Sequence, residues 1–380
     1  MSVIQVRKVE DLVFSTSKPY TLGVELEFQL LDQNTLNLVP RVQPIINALV
    51  PECSNTIALE FLQSIIEIQT AVCNSVIDAA HDLSRSIQIV EDVAGEQQCI
   101  LYSASLHPFA EPAEQKLTKG ARYERIMEEL QFVGRQFISQ GLHVHVGVGD
   151  ADTAIRVCDI IQTYLPLLLA LSSSSPYFRG EDTGFSSYRS KLFEALPLAG
   201  IFGYIGDWQG FEEEVSFLRQ RKIIEKVKDL WWDVRPSPGY GTVEVRICDM
   251  PVRFSETLGM VAVIQALVAY IAENTLSHSQ VSLQLLRSNK WQAARHGLDG
   301  QFNDVSGLLK KQTQTLRSAA SELLSLLEPL MVRFGAEKFL TPMQEILKRS
   351  TGAEVQRLLI RQGKSYPEMI HSLRNDYWLW

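Results

Sequence analysis

No block of Lys or Arg occurs anywhere in the 380 residues, and the formal net charge is −8. Nucleic-acid binding draws its affinity from clustered cations that neutralise phosphates, so that class of function is disfavoured. Cysteine is scarce. Cys53, Cys73, Cys99, Cys158 and Cys248 are scattered, odd in number and never spaced CxxC, which argues against a disulfide framework and a cysteine zinc site. Met1 to Asp11 lack the basic-then-apolar order of a secretory signal. Long apolar runs are missing as well. Leu165–Leu171 is interrupted by Pro166 and Met260–Ala272 by Gln265; both are short for a bilayer and predict buried helix. A cytoplasmic protein without a membrane partner is expected. Neither a Walker P-loop nor a dinucleotide GxGxxG occurs, so any phosphate has to be held by metal ions and arginine. No repeat, low-complexity tract or flexible linker divides the chain, and one unit over residues 1–380 is expected.

What is present is an ordinary globular balance, 46% hydrophobic and 21% charged, enough to bury a sizeable core. Alternating apolar and polar residues predict strands at Leu22–Leu31, Ser64–Thr70, Leu142–Val148 and Thr242–Cys248. Spacings of three and four predict helices through Ile77, Ala80, Leu83, Ile87 and Val90, and through Ile126, Leu130, Val133 and Phe137. Long apolar helices are predicted at Thr153–Ser172 and Thr257–Ser277. After about residue 303 the chain reads as almost wholly helical, with Leu308, Leu316, Leu323, Leu324 and Leu327 in one stripe. The order is no regular βα repeat, so an α+β fold is favoured over a doubly wound sheet. Gly180–Gly210, rich in Gly, Ser and aromatics, reads as a substrate-covering loop or a long surface connection.

The strands carry a recurring contradiction. Residues i and i+2 of a strand project the same way, roughly 7 Å apart. Opposite their apolar faces, the four strands present Glu25 and Glu27, Glu67 and Gln69, His143 and His145, and Glu244 and Arg246. A merely solvated face usually mixes Lys, Thr and Ser; here no Lys occurs. Carboxylates gathered on one surface repel and need cations between them. Hard oxygen ligands with a little imidazole suit Mg²⁺ or Mn²⁺ better than Zn²⁺. Glu60, seven residues before Glu67, is a further candidate ligand. The His143-Val144-His145 triplet alone would also suit a zinc hydrolase.

Trp231-Trp232-Asp233-Val234-Arg235-Pro236 precedes a turn, Ser237-Pro238-Gly239-Tyr240-Gly241. Pro and Gly there predict a tight strand connection that lays Arg235 near Glu244 and Arg246. Two guanidiniums beside metal-binding carboxylates make a phosphate clamp, or only an ion pair. Lys290 and Arg295 form a second basic cluster, a candidate nucleotide contact or a solvated face.

These residues resemble the type 2 glutamate–cysteine ligase family, in its carboxylate–amine ligase branch. The matching stretches are GVELEFQLL at Gly23–Leu31, GLHVHVGV at Gly141–Val148, SPYFRGEDTGFSSYR at Ser175–Arg189, WWDVRPSPGYGTVEVRICDMP at Trp231–Pro251 and NKWQAARHGL at Asn289–Leu298. They span residues of about 20–300; the helical end of about 303–378 is less distinctive. The resemblance implies a glutamine synthetase-like catalytic domain, a curved antiparallel sheet whose concave face holds ATP and divalent metals. It implies Glu25, Glu27, Glu60, Glu67, His145 and Glu244 as metal ligands, and Arg246 as a contact of the transferred phosphate. Arg189 and Arg235 would contact substrate or nucleotide, and His143 has no assigned role. The loop with Asp182, Thr183 and Arg189 would close over the site. The implied reaction is ATP- and Mg²⁺-dependent amide formation between an amino-acid carboxylate and an amine, by way of an acyl phosphate. Rivals are a guanidino-kinase-like phosphotransferase, the zinc hydrolase and a catalytically silent metal or nucleotide binder. Small molecules are the expected partners, and a homo-oligomer stays open.

Overall fold

The computed structural model describes residues 12–49, 56–274, 276, 281–305 and 307–379; Met1 to Asp11, Cys53 and Ser277 of the expectations above lie outside them. Its centre is a seven-stranded sheet of β1 (Leu22–Asp32), β2 (Ile57–Leu59), β3 (Ile65–Gln69), β4 (Cys99–Tyr102), β5 (Leu142–Gly147), β8 (Val234–Ser237) and β9 (Thr242–Val245). Two small hairpins stand apart, β6 (Tyr177–Phe178) with β7 (Glu181–Asp182), and β10 (Gln301–Asn303) with β11 (Thr313–Thr315). The strand order in the main sheet is β2-β3-β1-β5-β9-β8, with β4 paired to the end of β1, and every pairing is antiparallel. This is the α+β architecture expected.

Alternation sorts each strand into two faces. Leu22, Val24, Leu26, Phe28 and Leu30 of β1 join Ile66 and Ile68 of β3, Leu142, Val144 and Val146 of β5, and Val243 and Val245 of β9 in one buried core. The helices Val76–Glu96, Ala151–Ile161 and Phe254–Glu273 pack against these strands. The helix expected at Thr257–Ser277 begins earlier, at Phe254, and ends at Glu273. By length and composition it would pass for a membrane span, yet it is buried among the other helices and the sheet. Its one amide, Gln265, satisfies the backbone carbonyl of Tyr20 instead of breaking the helix, at 2.8 Å.

Three helix expectations change. The predicted Thr153–Ser172 helix is two, Ala151–Ile161 and Leu165–Ser172, bent by 66°. Pro166 in the first turn of the second helix lacks the N–H that continuity would need. The repeat through Ile126 and Phe137 is broken at Gln131, whose φ is 48°, so that helices Ala121–Leu130 and Phe132–Arg135 meet at a corner. After residue 303 the chain first forms β11, and Leu308 lies before it, outside the helix Leu316–Arg333 that carries the rest of its stripe. The four described cysteines, Cys73, Cys99, Cys158 and Cys248, are free and buried.

Candidate active site

The other face of the sheet floors a cleft of ≈ 450 Å³. Strand register decides who meets whom there. Glu25 lies opposite His143 on one side and Gln69 on the other; Glu27 lies opposite Glu67. His145 lies opposite Glu244, and Glu244 opposite Arg235. Glu60 enters from the turn between β2 and β3, its Oε2 accepting the Phe61 N–H at 2.7 Å. Two groups of possible metal ligands result: Glu25, His143 and Glu244, and Glu27, Glu60 and Glu67, each with ligand atoms within 4.8 Å of one another. His143, which had no assigned role, falls in the first group. His145 is held by its Nδ1, 2.9 Å from the Thr242 hydroxyl, with Nε2 3.4 Å from Glu25 and 3.9 Å from Glu244.

Charge is unevenly shared. Burial pushes the Glu27 carboxyl up to about 8, with Glu60 adding repulsion against the stabilising Gly141 N–H at 2.7 Å. Burial, then Glu60, Glu25 and Glu27, push Glu67 well above the usual carboxylate range. Glu25 and Glu244 go the other way. Burial opposes their charge, but hydrogen bonds to His143 and His145 hold Glu25 below the ordinary range, and Arg235 and Arg246 do the same for Glu244. His143 is pushed down to about 4 by burial and by Arg246, so it is neutral at pH 7. The Glu27 group is therefore short of positive charge, the fields of Arg189 and Arg246 offsetting only part of the cost to Glu27.

The arginines divide into cleft and support. Arg235 and Arg246 both line the cleft and both pair with Glu244, Arg235 through Nε at 2.7 Å. Arg189 does not line it. Buried in the helix Arg189–Phe193, it donates to the carbonyls of Ile247 at 3.2 Å and Arg246 at 3.3 Å, under the Phe193 ring. It packs so closely on Gly141 that a Cβ there would lie 2.2 Å from its Nη2. Asp249 anchors this corner by accepting from the Ser174 N–H and the hydroxyls of Ser175 and Ser187, all within 2.9 Å. Arg189 therefore fixes the backbone on which Arg246 stands. Lys290 is also drawn inward, 2.7 Å from Asp233 and 3.5 Å from Glu194, while Arg295 donates to the Gly184 carbonyl. Neither lines the cleft.

The covering-loop expectation for Gly180–Gly210 is not what the structure places there. Asp182 is tied to Arg357 at 2.6 Å and Thr183 to the Pro176 carbonyl at 2.8 Å; with Arg189 buried, none of the three lines the cleft. Only Phe193 and Leu196 of this segment reach it. They form, with Ile126, Leu130 and Phe137, an apolar wall, and Arg122, Tyr123, Lys228 and Tyr240 complete the rim. Sequence reasoning read Ile126, Leu130 and Phe137 only as a helix stripe and gave none of these wall and rim residues a place in the site, because they come from four separate segments.

The Glutamate-cysteine ligase family 2 (GCS2) profile matches residues 21–375. A Gloeobacter violaceus protein provisionally named glutamate–cysteine ligase 2 is 34% identical over 365 residues, 95% of this chain and 97% of its own. A Thermobifida fusca protein of the same provisional name is 35% identical over 374 residues, 96% and 92% of the two chains. The fold matches a solved glutamate–cysteine ligase from Francisella tularensis in complex with AMP, with TM-score 0.69 at 13% identity over 95% of this chain and 89% of that one. It also matches a bifunctional glutathione synthetase from Pasteurella multocida, with TM-score 0.71 at 15% identity, covering 94% of this chain and 52% of that one. The chain belongs to glutamate–cysteine ligase family 2.

Proposed function

We propose that the chain is an ATP-dependent carboxylate–amine ligase, joining the γ-carboxyl group of glutamate to the amine of cysteine or of another small molecule. The observation that carries this reading is the pair of carboxylate groups side by side on one sheet face, next to Arg235 and Arg246. Glu25, His143 and Glu244 would hold one divalent cation and Glu27, Glu60 and Glu67 another, with His145 closing the first group. Their oxygen-rich donor set fits Mg²⁺, or Mn²⁺ in its place. Such ions supply charge neutralisation between carboxylate and triphosphate.

The protein's own part is placement. Arg246, rigidly seated by Glu244 and by Arg189 behind it, faces the region where phosphoryl charge moves. A substrate carboxylate oxygen attacks the γ-phosphorus and ADP departs. The amine nitrogen then attacks the acyl carbon, phosphate leaves with the carboxylate oxygen, and the nitrogen loses a proton. The apolar wall of Ile126, Leu130, Phe137, Phe193 and Leu196 keeps water from the acyl phosphate. Lys290 and Arg295 take structural roles in this reading, and the cytoplasm is the compartment that supplies ATP and reduced thiols.

Mass spectrometry of mixtures of ATP, Mg²⁺, glutamate and a panel of amines is expected to find an amide and ADP in equal amounts. A phosphorylated product without amide would point to a phosphotransferase, and amide hydrolysis needing zinc would point to a hydrolase.

Two variants separate chemistry from fold. Glu27→Gln keeps shape but removes charge, and is expected to abolish turnover with an unchanged melting temperature. Arg246→Lys keeps charge but loses the planar fork; it is expected to lower turnover by about 10²–10³, or about 3–4 kcal/mol, while melting normally. Near wild-type ADP release in either would contradict the assignment.

Because the folded pKa of Glu27 is raised from 4.5 to about 8, holding its proton stabilises the metal-free fold at low pH. That contribution is lost as pH rises through about 8. Magnesium competes with the same proton. Titration calorimetry at pH 7 in buffers of different ionisation enthalpy is expected to show proton release on Mg²⁺ binding, with affinity rising towards pH 8. Proton-neutral binding would remove the acidic group from the metal site.

A further inference from the structure

Four cations line the cleft, Arg122, Lys228, Arg235 and Arg246. Two are already committed, since Arg235 and Arg246 both bind Glu244. Arg122 and Lys228 are different. Among the described residues neither forms a close ion pair: Lys228 has the field of Asp229 beside it in the chain, and Arg122 the Tyr123 ring, 5.9 Å from its Cζ. They stand near enough that Arg122 is the first cause pushing the Lys228 ammonium below its ordinary range. The neighbouring Asp229 offsets this only in part, and an anion between two like charges relieves their repulsion.

Their placement is fixed to the rest of the site. Tyr123 ties the helix Ala121–Leu130 to the Leu59 carbonyl at 3.2 Å. Arg235, itself on Glu244, donates to the Lys228 carbonyl at 3.0 Å. Arg125 on the same helix pairs with Glu225, three residues before Lys228, so the two sides of the rim are joined. The free positive charge of the cleft is thus held at its rim, across from a floor of carboxylates suited to metal ions rather than to an anion.

We propose that Arg122 and Lys228 bind a non-reacting carboxylate of an amino-acid substrate, and so select ligands that carry an acidic group besides the reacting ones. This rests on the ligase reading above. A reacting carboxyl belongs near the metal-binding floor; a second carboxylate on the acid, or the carboxylate of the amine, then meets the rim. A substrate without it leaves both cations unpaired. Charged hydrogen bonds of this kind discriminate by about tenfold to hundredfold.

The test uses the full chain with Mg²⁺ and a non-hydrolysable ATP analogue. Calorimetry compares glutamate with 4-aminobutyrate, which keeps the reacting carboxyl and lacks the other. Steady-state KM values, measured with ATP in place of the analogue, compare cysteine with cysteamine. Wild type is expected to prefer the carboxylated member of at least one pair by about tenfold or more. Arg122→Gln/Lys228→Gln is expected to erase that preference, and Arg122→Lys/Lys228→Arg to restore it. Loss in the first pair assigns the carboxylate to the acid, loss in the second to the amine. The proposal is overturned if both preferences survive in the double glutamine variant, which makes the pair solvated surface charge, or if only the KM for ATP rises, which makes it a phosphate contact. It is overturned too if wild type shows no preference. Because binding is read without turnover, glutamate binding with no amide formed would sink the ligase reading separately.

Discussion

Carboxylates cannot be crowded onto one side of a buried sheet unless positive charge is supplied to match, and the whole cleft is organised by how that demand is met. Glu25, Glu27, Glu60, Glu67 and Glu244 share it. Glu244 is satisfied by Arg235 and Arg246, and Glu25 by the His145 ring together with a hydrogen bond from the neutral His143. The remaining three are not, and burial, with repulsion from Glu60, raises the pKa of Glu27 and Glu67. A protein that only needed a solvated face would gain nothing from this arrangement. One that binds divalent cations gains a site whose unfavourable charge is relieved when the ions arrive.

The back of the sheet makes that strain tolerable. Each functional strand alternates an active-site side chain with a core residue, so Glu27 is flanked by Leu26 and Phe28, and His143 by Leu142 and Val144, all buried. Phe28 meets the Tyr377 ring, 5.9 Å away, at the end of the chain, and Tyr377 in turn accepts the Phe254 N–H at the start of the central helix. Repulsion on one face therefore works against tight packing on the other. Arg189 adds a polar brace, gripping the carbonyls of Arg246 and Ile247 while pressing on Gly141, whose N–H serves Glu27.

The floor of the site was legible because strand alternation is a strict period of two. Reading Glu25 with Glu27, or Glu244 with Arg235 across a Pro/Gly turn, needed no tertiary information. That His143 comes within reach of Glu25 and Glu244 beside His145 was not legible, since strand alternation puts both rings on one face without ranking them. Nor was the burial of Lys290, which depends on Asp233 from a distant strand connection. The rim was invisible for a related reason. Arg122 on a charged helix and Lys228 in a short turn carry no sequence signal of a site, and only the fold brings them to one opening. The helix corner at Gln131 was similarly hidden behind apolar periodicity, and at Pro166 the apolar run continues past a visible proline, which masked the bend.

The central claim is that a carboxylate oxygen becomes part of the phosphate released. Glutamate labelled with ¹⁸O in its γ-carboxyl group, turned over with ATP, Mg²⁺ and an accepted amine, follows that oxygen. Mass analysis of the inorganic phosphate is predicted to find one ¹⁸O in each phosphate formed, matched by one ¹⁸O lost from the amide. Unlabelled phosphate, with both labelled oxygens still in the acid, would mean that water attacks ATP and that no acyl phosphate forms.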